Sequence, residues 1–234
     1  MSRLRRLLSG GIAFHVLNRG VGKRTLFSKS ADFDAFVSML AETLRTRPMR
    51  VCGYCLMPNH WHMLLWPEHD GEVSSFLQHL TNLHVKRWKE HHSEVGFGHL
   101  YQGRFKSFPI QNDDHFRTVI RYIERNPLRA NLVDKAEHWR WSSLGQPGPC
   151  EPIELSTGPD TVARPRSDAA WINLVNVPQT ESELAALRQS IRRGCPYGDA
   201  DWSKEIAEQL DLSSTLRPRG RPRTDASVGG ARPQ

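Results

Sequence analysis

The stretch YCLMPNHWHMLL, residues 54–65, sets His60 and His62 two apart with Trp61 between them. In an extended strand alternate side chains share a face, so both imidazoles project to one side and Trp61 to the other. Two imidazoles on one face can share a divalent ion, for which imidazole is a common ligand. Two half-buried histidines that happen to share a face would give the same pattern, and the pair alone does not choose.

A second group lies in RYIERNP, residues 121–127. Tyr122 and Asn126 are one helical turn apart and share a face. They flank an apolar arc of Phe116, Val119, Ile120 and Ile123. An amide oxygen beside two imidazoles makes a mixed N/O donor set suited to Mg²⁺ or Mn²⁺. A phenol beside such an ion could attack phosphorus while the metal polarises a phosphoryl oxygen and orients the phosphate for in-line displacement. The plainer reading of Tyr122 is an amphipathic core residue whose hydroxyl finds a partner. Arg117, Arg121 and Arg125, spaced by four, form a stripe beside the Tyr122 face, interrupted by Glu124. Arg104 and Lys106 alternate with Phe105 and so share one strand face. Such arrays hold phosphate backbones, although a charge run is also the ordinary make-up of a solvated surface.

These groups need a scaffold. IAFHVLNR (12–19) reads as a first strand, broken by Gly20 and Gly22. Residues 31–46 place Phe33, Phe36, Val37, Leu40 and Leu44 at helical spacing. Residues 49–57 and 60–66 are two strands joined by the Pro58-Asn59 turn. Residues 72–92 form a long helix, 103–110 a fourth strand, and 113–126 a third helix that Pro127 is expected to stop. The order β-α-β-β-α-β-α with one short β-β link predicts an antiparallel sheet, the helices between strands covering one face, in an α+β sandwich. The domain spans 1–146. Residues 147–170 read as a Pro/Gly-rich linker and 171–216 as a helical extension, opened by a capping box from Thr180 to Glu183. Residues 217–234 are an arginine-rich tail expected to be disordered when free.

The net charge is +7, but the excess sits at the ends. Residues 1–24 carry six Lys/Arg and no acid, residues 217–234 five Arg and one Asp, and the middle balances to −3. That distribution suits a polyanionic partner held by both ends, or a soluble protein with basic termini. No apolar segment reaches membrane-spanning length, and a cytosolic protein is expected. Cys52 and Cys55 form a lone C-x-x-C, with Cys150 and Cys195 apart. Residues three apart on a strand point to opposite faces, which argues for buried thiols over zinc.

Taken together, YCLMPNHWHMLL, YQGRFKSFPI and YIERNPLRANLV, in this order and spacing, resemble the single-tyrosine HUH transposases of the insertion-sequence-200-like group, most nearly the REP-associated tyrosine transposases. FHVLNRG and WRWSSL also fit, so the resemblance covers roughly residues 10–145. It implies a ferredoxin-like HUH sandwich with His60 and His62 as metal ligands, Asn126 as third ligand, Mg²⁺ or Mn²⁺ as cofactor and Tyr122 as nucleophile. The implied activity is nicking and joining of single-stranded DNA beside a hairpin of a repetitive extragenic palindrome, through a 5′-phosphotyrosine. It further implies recognition of a short sequence at the hairpin foot by Asn18, Arg19, Lys23 and Arg24, and a cytoplasmic, nucleoid-associated location. It favours action as a monomer, with the tyrosine reaching its own histidines, over the dimer of the wider group, in which each tyrosine meets the partner's pair, and the sequence does not decide between the two. Arg219-Gly220-Arg221-Pro222 matches the core of an AT-hook, which lies in the narrow minor groove, or serves as a generic phosphate-binding tail. Two other functions stand beside this one: a domesticated protein that binds palindromic DNA without cutting it, and a phosphoesterase whose histidines serve a water nucleophile.

Overall fold

The computed structural model describes residues 7–96, 98–145, 148, 152–158 and 169–217. Arg219, Arg221, Cys150, most of the expected linker and nearly all of the basic tail lie outside the described residues.

Four strands, β1 (Ala13–Arg19), β2 (Arg50–Met57), β3 (His60–Trp66) and β4 (Lys106–Ile110), form one antiparallel sheet in the order β2-β3-β1-β4. Two helices, α1 (Ser30–Thr46) and α2 (Glu72–His91), return the chain between parallel neighbours-but-one. This is the α+β sandwich that the element order predicts, in the ferredoxin-like form that the resemblance implies. Alternation sorts the strands into two cores. Phe14, Val16, Tyr54, Leu56, Trp61 and Met63 meet Phe36 and Leu40 of α1 and Phe76 and Leu80 of α2. The opposite face, with Leu64, Phe108 and Ile110, is covered by α3 (Asp114–Arg129) through Phe116, Val119, Ile120 and Ile123. Burying each such side chain contributes about 1.5–3 kcal/mol. The between-strand helices thus occupy one face and leave the histidine face to α3.

Three expectations change. First, α3 runs through Pro127 to Arg129. Proline has no N–H to give the Ile123 carbonyl, and the Asn126 side chain supplies one instead, donating from Nδ2 to Ile123 O at 3.3 Å and Tyr122 O at 3.0 Å. Second, a register shift between Val51 and Gly53 places Cys52 and Cys55 in the same core, on the α3 side, where both are fully buried. A bulge sets two consecutive residues against one, so the strict alternation that would have separated the cysteines is lost. Third, residues 103–105 precede β4 instead of forming its start.

The C-terminal helices α4 (Ala169–Asn176), α5 (Glu181–Arg193), α6 (Ala200–Gln209) and α7 (Ser213–Leu216) do not form a separate unit. Trp171, Val175, Leu187 and Tyr197 complete the α3 core, while Ile206 and Leu210 join the other. The Thr180–Glu183 capping box is present, with Thr180 N donating to Glu183 Oε2 at 2.7 Å.

Candidate active site

The register of the sheet builds the site row by row. Met57, His60 and Arg19 stand in one row across β2, β3 and β1. Cys55, His62, Leu17 and Lys106 stand in the next, across all four strands. Both rows face α3. Between the histidines Trp61 turns into the opposite core, fully buried, with Nε1 donating to the Tyr101 hydroxyl at 3.0 Å. That phenol reaches Nδ1 of buried His84 at 2.6 Å. The Pro58-Asn59 turn is tied down as well, since its carbonyls accept from the backbone N–H groups of Leu26, Phe27 and Gly20. Trp61 and the anchored turn therefore fix the strand that aims both imidazoles.

Each imidazole is held by its Nδ1. His60 Nδ1 donates to Asn59 Oδ1 at 2.6 Å. His62 Nδ1 lies 2.9 Å from Nε2 of His15, a fully buried residue of β1 whose ring stacks on His62 at 5.0 Å and 11°. His60 Nδ1 can only donate to an amide oxygen, so its Nε2 carries the free lone pair, and His62 matches it in the tautomer that donates from Nδ1 to His15. Burial pushes the His60 pKa down to about 4, with Arg19 and Arg129 adding repulsion. Burial, then His15, His60, Arg129 and Arg19, hold His62 well below its ordinary value. Both rings are therefore neutral at physiological pH and available to a metal.

Helix α3 brings Tyr122 over this pair. Its ring stands edge-on to His62 at 6.1 Å and to His15 at 6.4 Å. Asn126 is buried on the same helical face. Arg129, one further turn on, lays its guanidinium over the Tyr122 ring at 4.1 Å and donates to Asn126 Oδ1.

All four residues line one cleft of about 800 Å³. Its charged lining consists of Arg19, Arg104, Lys106, Arg129, Arg192 and Arg193, without a carboxylate among the described residues. The donor set fits a divalent cation: two neutral imidazoles offer Nε2, and an amide oxygen lies beside them. No group of three or more His, Cys, Asp or Glu side chains fit for a metal occurs among the described residues; the two imidazoles and the Asn126 amide that line the cleft are neutral donors. Asn126 Oδ1 would need to leave Arg129 to ligate.

The other basic residues divide. Arg104 and Lys106 line the cleft. Asn18 lies at its rim, with its amide engaged locally: Oδ1 accepts from Arg19 N at 2.9 Å and Nδ2 donates to Gly103 O at 3.4 Å. Lys23 and Arg24 lie outside it, Arg24 paired with Glu94 at 2.7 Å and stacked over Trp88. Arg117 is solvent-facing, 3.9 Å from Asp114. Arg121 and Arg125, expected to face DNA, are engaged with carbonyls at and just past the end of α4. Arg121 donates to Leu174, Val177 and Pro178 at 2.9, 2.8 and 3.2 Å, and Arg125 to Val175 at 2.7 Å and to Asn176. A helix C-terminus exposes unsatisfied carbonyls and partial negative charge, which draw cations. His15, Arg129, Arg192 and Arg193 were not singled out from the sequence.

Residues 10–126, half of the chain, match the family model described as transposase IS200 like. A Haemophilus influenzae protein described as a REP-associated tyrosine transposase is 23% identical over 153 residues, covering 62% of this chain and 86% of its own. Among solved structures, a REP-associated tyrosine transposase bound to a REP hairpin is 24% identical, with a TM-score of 0.49 over 61% of this chain and 82% of that one. A transposase from Deinococcus radiodurans is 14% identical, with a TM-score of 0.36 over 56% of this chain and 92% of its own. No helix among the described residues is long and apolar enough to cross a membrane.

Proposed function

This chain belongs to the IS200-like transposase family, and from that premise we propose that it nicks and rejoins single-stranded DNA at the foot of REP-type hairpins, using Tyr122 as nucleophile. The observation that carries this reading is the meeting of Tyr122 with His60 and His62 in one cleft whose charged lining is cationic throughout. A hydrolase acting through water would leave Tyr122 only a packing role, and six cations in a cleft without a carboxylate among the described residues suit a phosphate-rich partner.

The step balances without a co-reactant. Tyr122 Oη forms a bond to the scissile phosphorus as the bond from phosphorus to the 3′ oxygen breaks. The phenolic proton ends on that departing oxygen, leaving a free 3′-hydroxyl and a 5′-phosphotyrosine. Attack by another 3′-hydroxyl reverses the exchange and joins strands, one phosphodiester traded for another, so ATP is not needed. A divalent cation, Mg²⁺ or Mn²⁺, held by His60, His62 and Asn126 would supply Lewis-acid polarisation of the phosphoryl oxygen. Arg129 lays its guanidinium on the Tyr122 ring and so helps hold the ring's orientation. Asn59 and His15 hold the two imidazoles in their ligating orientation. Tyr122 already stands against the His62 ring of its own chain, which suits action as a monomer, and the same reading has it act in the cytoplasm beside the nucleoid.

The test is a hairpin oligonucleotide with a single-stranded flank, incubated with Mg²⁺ or Mn²⁺ and run on a denaturing gel. Wild type should form a covalent adduct and Tyr122→Phe none, with hairpin binding kept. An adduct in Tyr122→Phe removes the nucleophile assignment. Cleavage without an adduct in either protein would favour the water-nucleophile reading, and binding without cleavage under either metal the domesticated binding protein.

A further inference from the structure

The family match ends at residue 126, yet the cleft does not. Ile191, Arg192, Arg193 and Gly194 at the end of α5, and Leu212 and Thr215 near α7, line it opposite the histidines. This wall is fastened to the edge strand. Tyr197 N donates to Pro109 O at 2.9 Å and Gln111 N to Tyr197 O at 3.0 Å, extending the sheet past β4. Gln111 further clasps Asp199, with two 2.7 Å bonds. Gly194 takes φ +75, and a Cβ there would lie 3.4 Å from the Ser107 carbonyl, so the turn comes in close. On the other side, α4 is clamped to the tyrosine helix by Arg121 and Arg125.

We propose that this C-terminal segment is the second wall of the single-strand site, with Arg192 and Arg193 holding phosphates of the strand that runs away from the scissile bond. The inference rests on the DNA reading above. Its geometry is set by the row His62–Leu17–Lys106: two strand spacings, about 10 Å, separate the histidine from Lys106, and the α5 turn lies beyond. Lys106 and the arginine pair therefore meet phosphates other than the one presented to Tyr122. Charge along α5 is segregated in keeping with this. Glu181 is paired with Arg188 at 2.7 Å and Glu183 is used in the cap, while its last two residues line the cleft. Arg193 also donates from one Nη to the Arg217 carbonyl just past α7, a solvent-exposed bond that leaves its other donors for phosphate. Basic residues at a helix C-terminus also complement its dipole, which would account for their type but not for their place in the acid-free cleft.

The test measures binding, in the full chain without divalent metal, of a hairpin carrying a single-stranded flank and of the same hairpin trimmed blunt. Each single-strand phosphate contact contributes about 0.7 to the salt slope. Arg192→Ala/Arg193→Ala should then lower that slope by about 1.4 for the flanked DNA, with a loss of about 25-fold at 0.1 M salt, and leave the blunt hairpin unchanged. Arg192→Lys/Arg193→Lys should restore much of the loss. Arg188→Ala removes a charge from the same helix outside the cleft and should match wild type. An unchanged flanked affinity, an equal loss on both DNAs, or an equal loss in Arg188→Ala overturns the assignment. Failure of wild type to bind either DNA overturns the underlying function as well, which separates the two failures.

Discussion

Arg121→Met should loosen the C-terminal helices and leave DNA affinity alone. The substitution keeps an unbranched stem and removes the guanidinium. Arg121 is only 11% exposed and donates to three carbonyls at the end of α4. Hydrogen bonds from a charged group contribute about 1.5–3 kcal/mol, and the position at a helix C-terminus adds about 0.3–1 kcal/mol. A loss of about 2–3 kcal/mol follows, which is a factor of about 30–150 in the opening equilibrium of α4. Hydrogen exchange of the amides in residues 169–180 reads that opening directly, and protection there should fall by that factor. The salt dependence of hairpin binding should keep its wild-type slope, because a phosphate contact, had there been one, would contribute about 0.7–0.9. Unchanged protection together with a slope reduced by that amount would show that Arg121 reaches DNA and that the clasp is incidental.

His15→Leu should weaken Mn²⁺ binding by about 10–100-fold, since it removes the partner that orients His62. Hairpin binding without metal should be unchanged, and calorimetry with Mn²⁺ checks the first half while gel shift checks the second. Stability should fall as pH drops below about 6.5. His84 is buried neutral with its pKa pushed down to about 3, so below that ordinary value the unfolded chain takes up a proton the folded one refuses. The contribution is nil at neutral pH and costs about 1.4 kcal/mol by pH 5.5. Urea midpoints at pH 7.5 and 5.5 should show His84→Gln losing that much less than wild type, and equal losses would remove His84 from the account.

What could be read in advance was whatever depends on period and punctuation. The alternation in HWHMLLW fixed which faces His60, Trp61 and His62 would take, and the α1 and α2 apolar spacings fixed their buried sides. What could not be read depends on tertiary cover. The i, i+4 spacing of Arg117, Arg121 and Arg125 says they share a helical face but not what packs on it. Two of the three meet α4, a short helix whose apolar WINLV run falls at the start of the expected helical extension and carries no sign of what it packs on. The bulge at Cys52 and Gly53 has a glycine as its only sequence trace, and the cavity side of Gly53 is filled by Ser143 and Ile120, which no local pattern announces.

Arg129 is a different kind of miss, caused by one wrong boundary. Tyr122, Asn126 and Arg129 follow the i, i+4, i+7 spacing of a single helical face, so periodicity alone would have added the arginine to the site. The expectation that Pro127 ends the helix cut the pattern one residue after Asn126. Proline's lost bond is what made that stop reasonable, and Asn126 is what overrides it, its Nδ2 supplying the Ile123 carbonyl that the ring leaves without an N–H. The same side chain turns its Oδ1 to Arg129 and into the cleft. Asn126 therefore uses both ends of its amide: Nδ2 keeps the last turn of α3 wound so that Arg129 reaches the Tyr122 ring, and Oδ1 accepts from Arg129 at the cleft wall. Aspartate would keep the oxygen and lose the donor, and so should unwind the turn. Glutamine has both, one methylene further out.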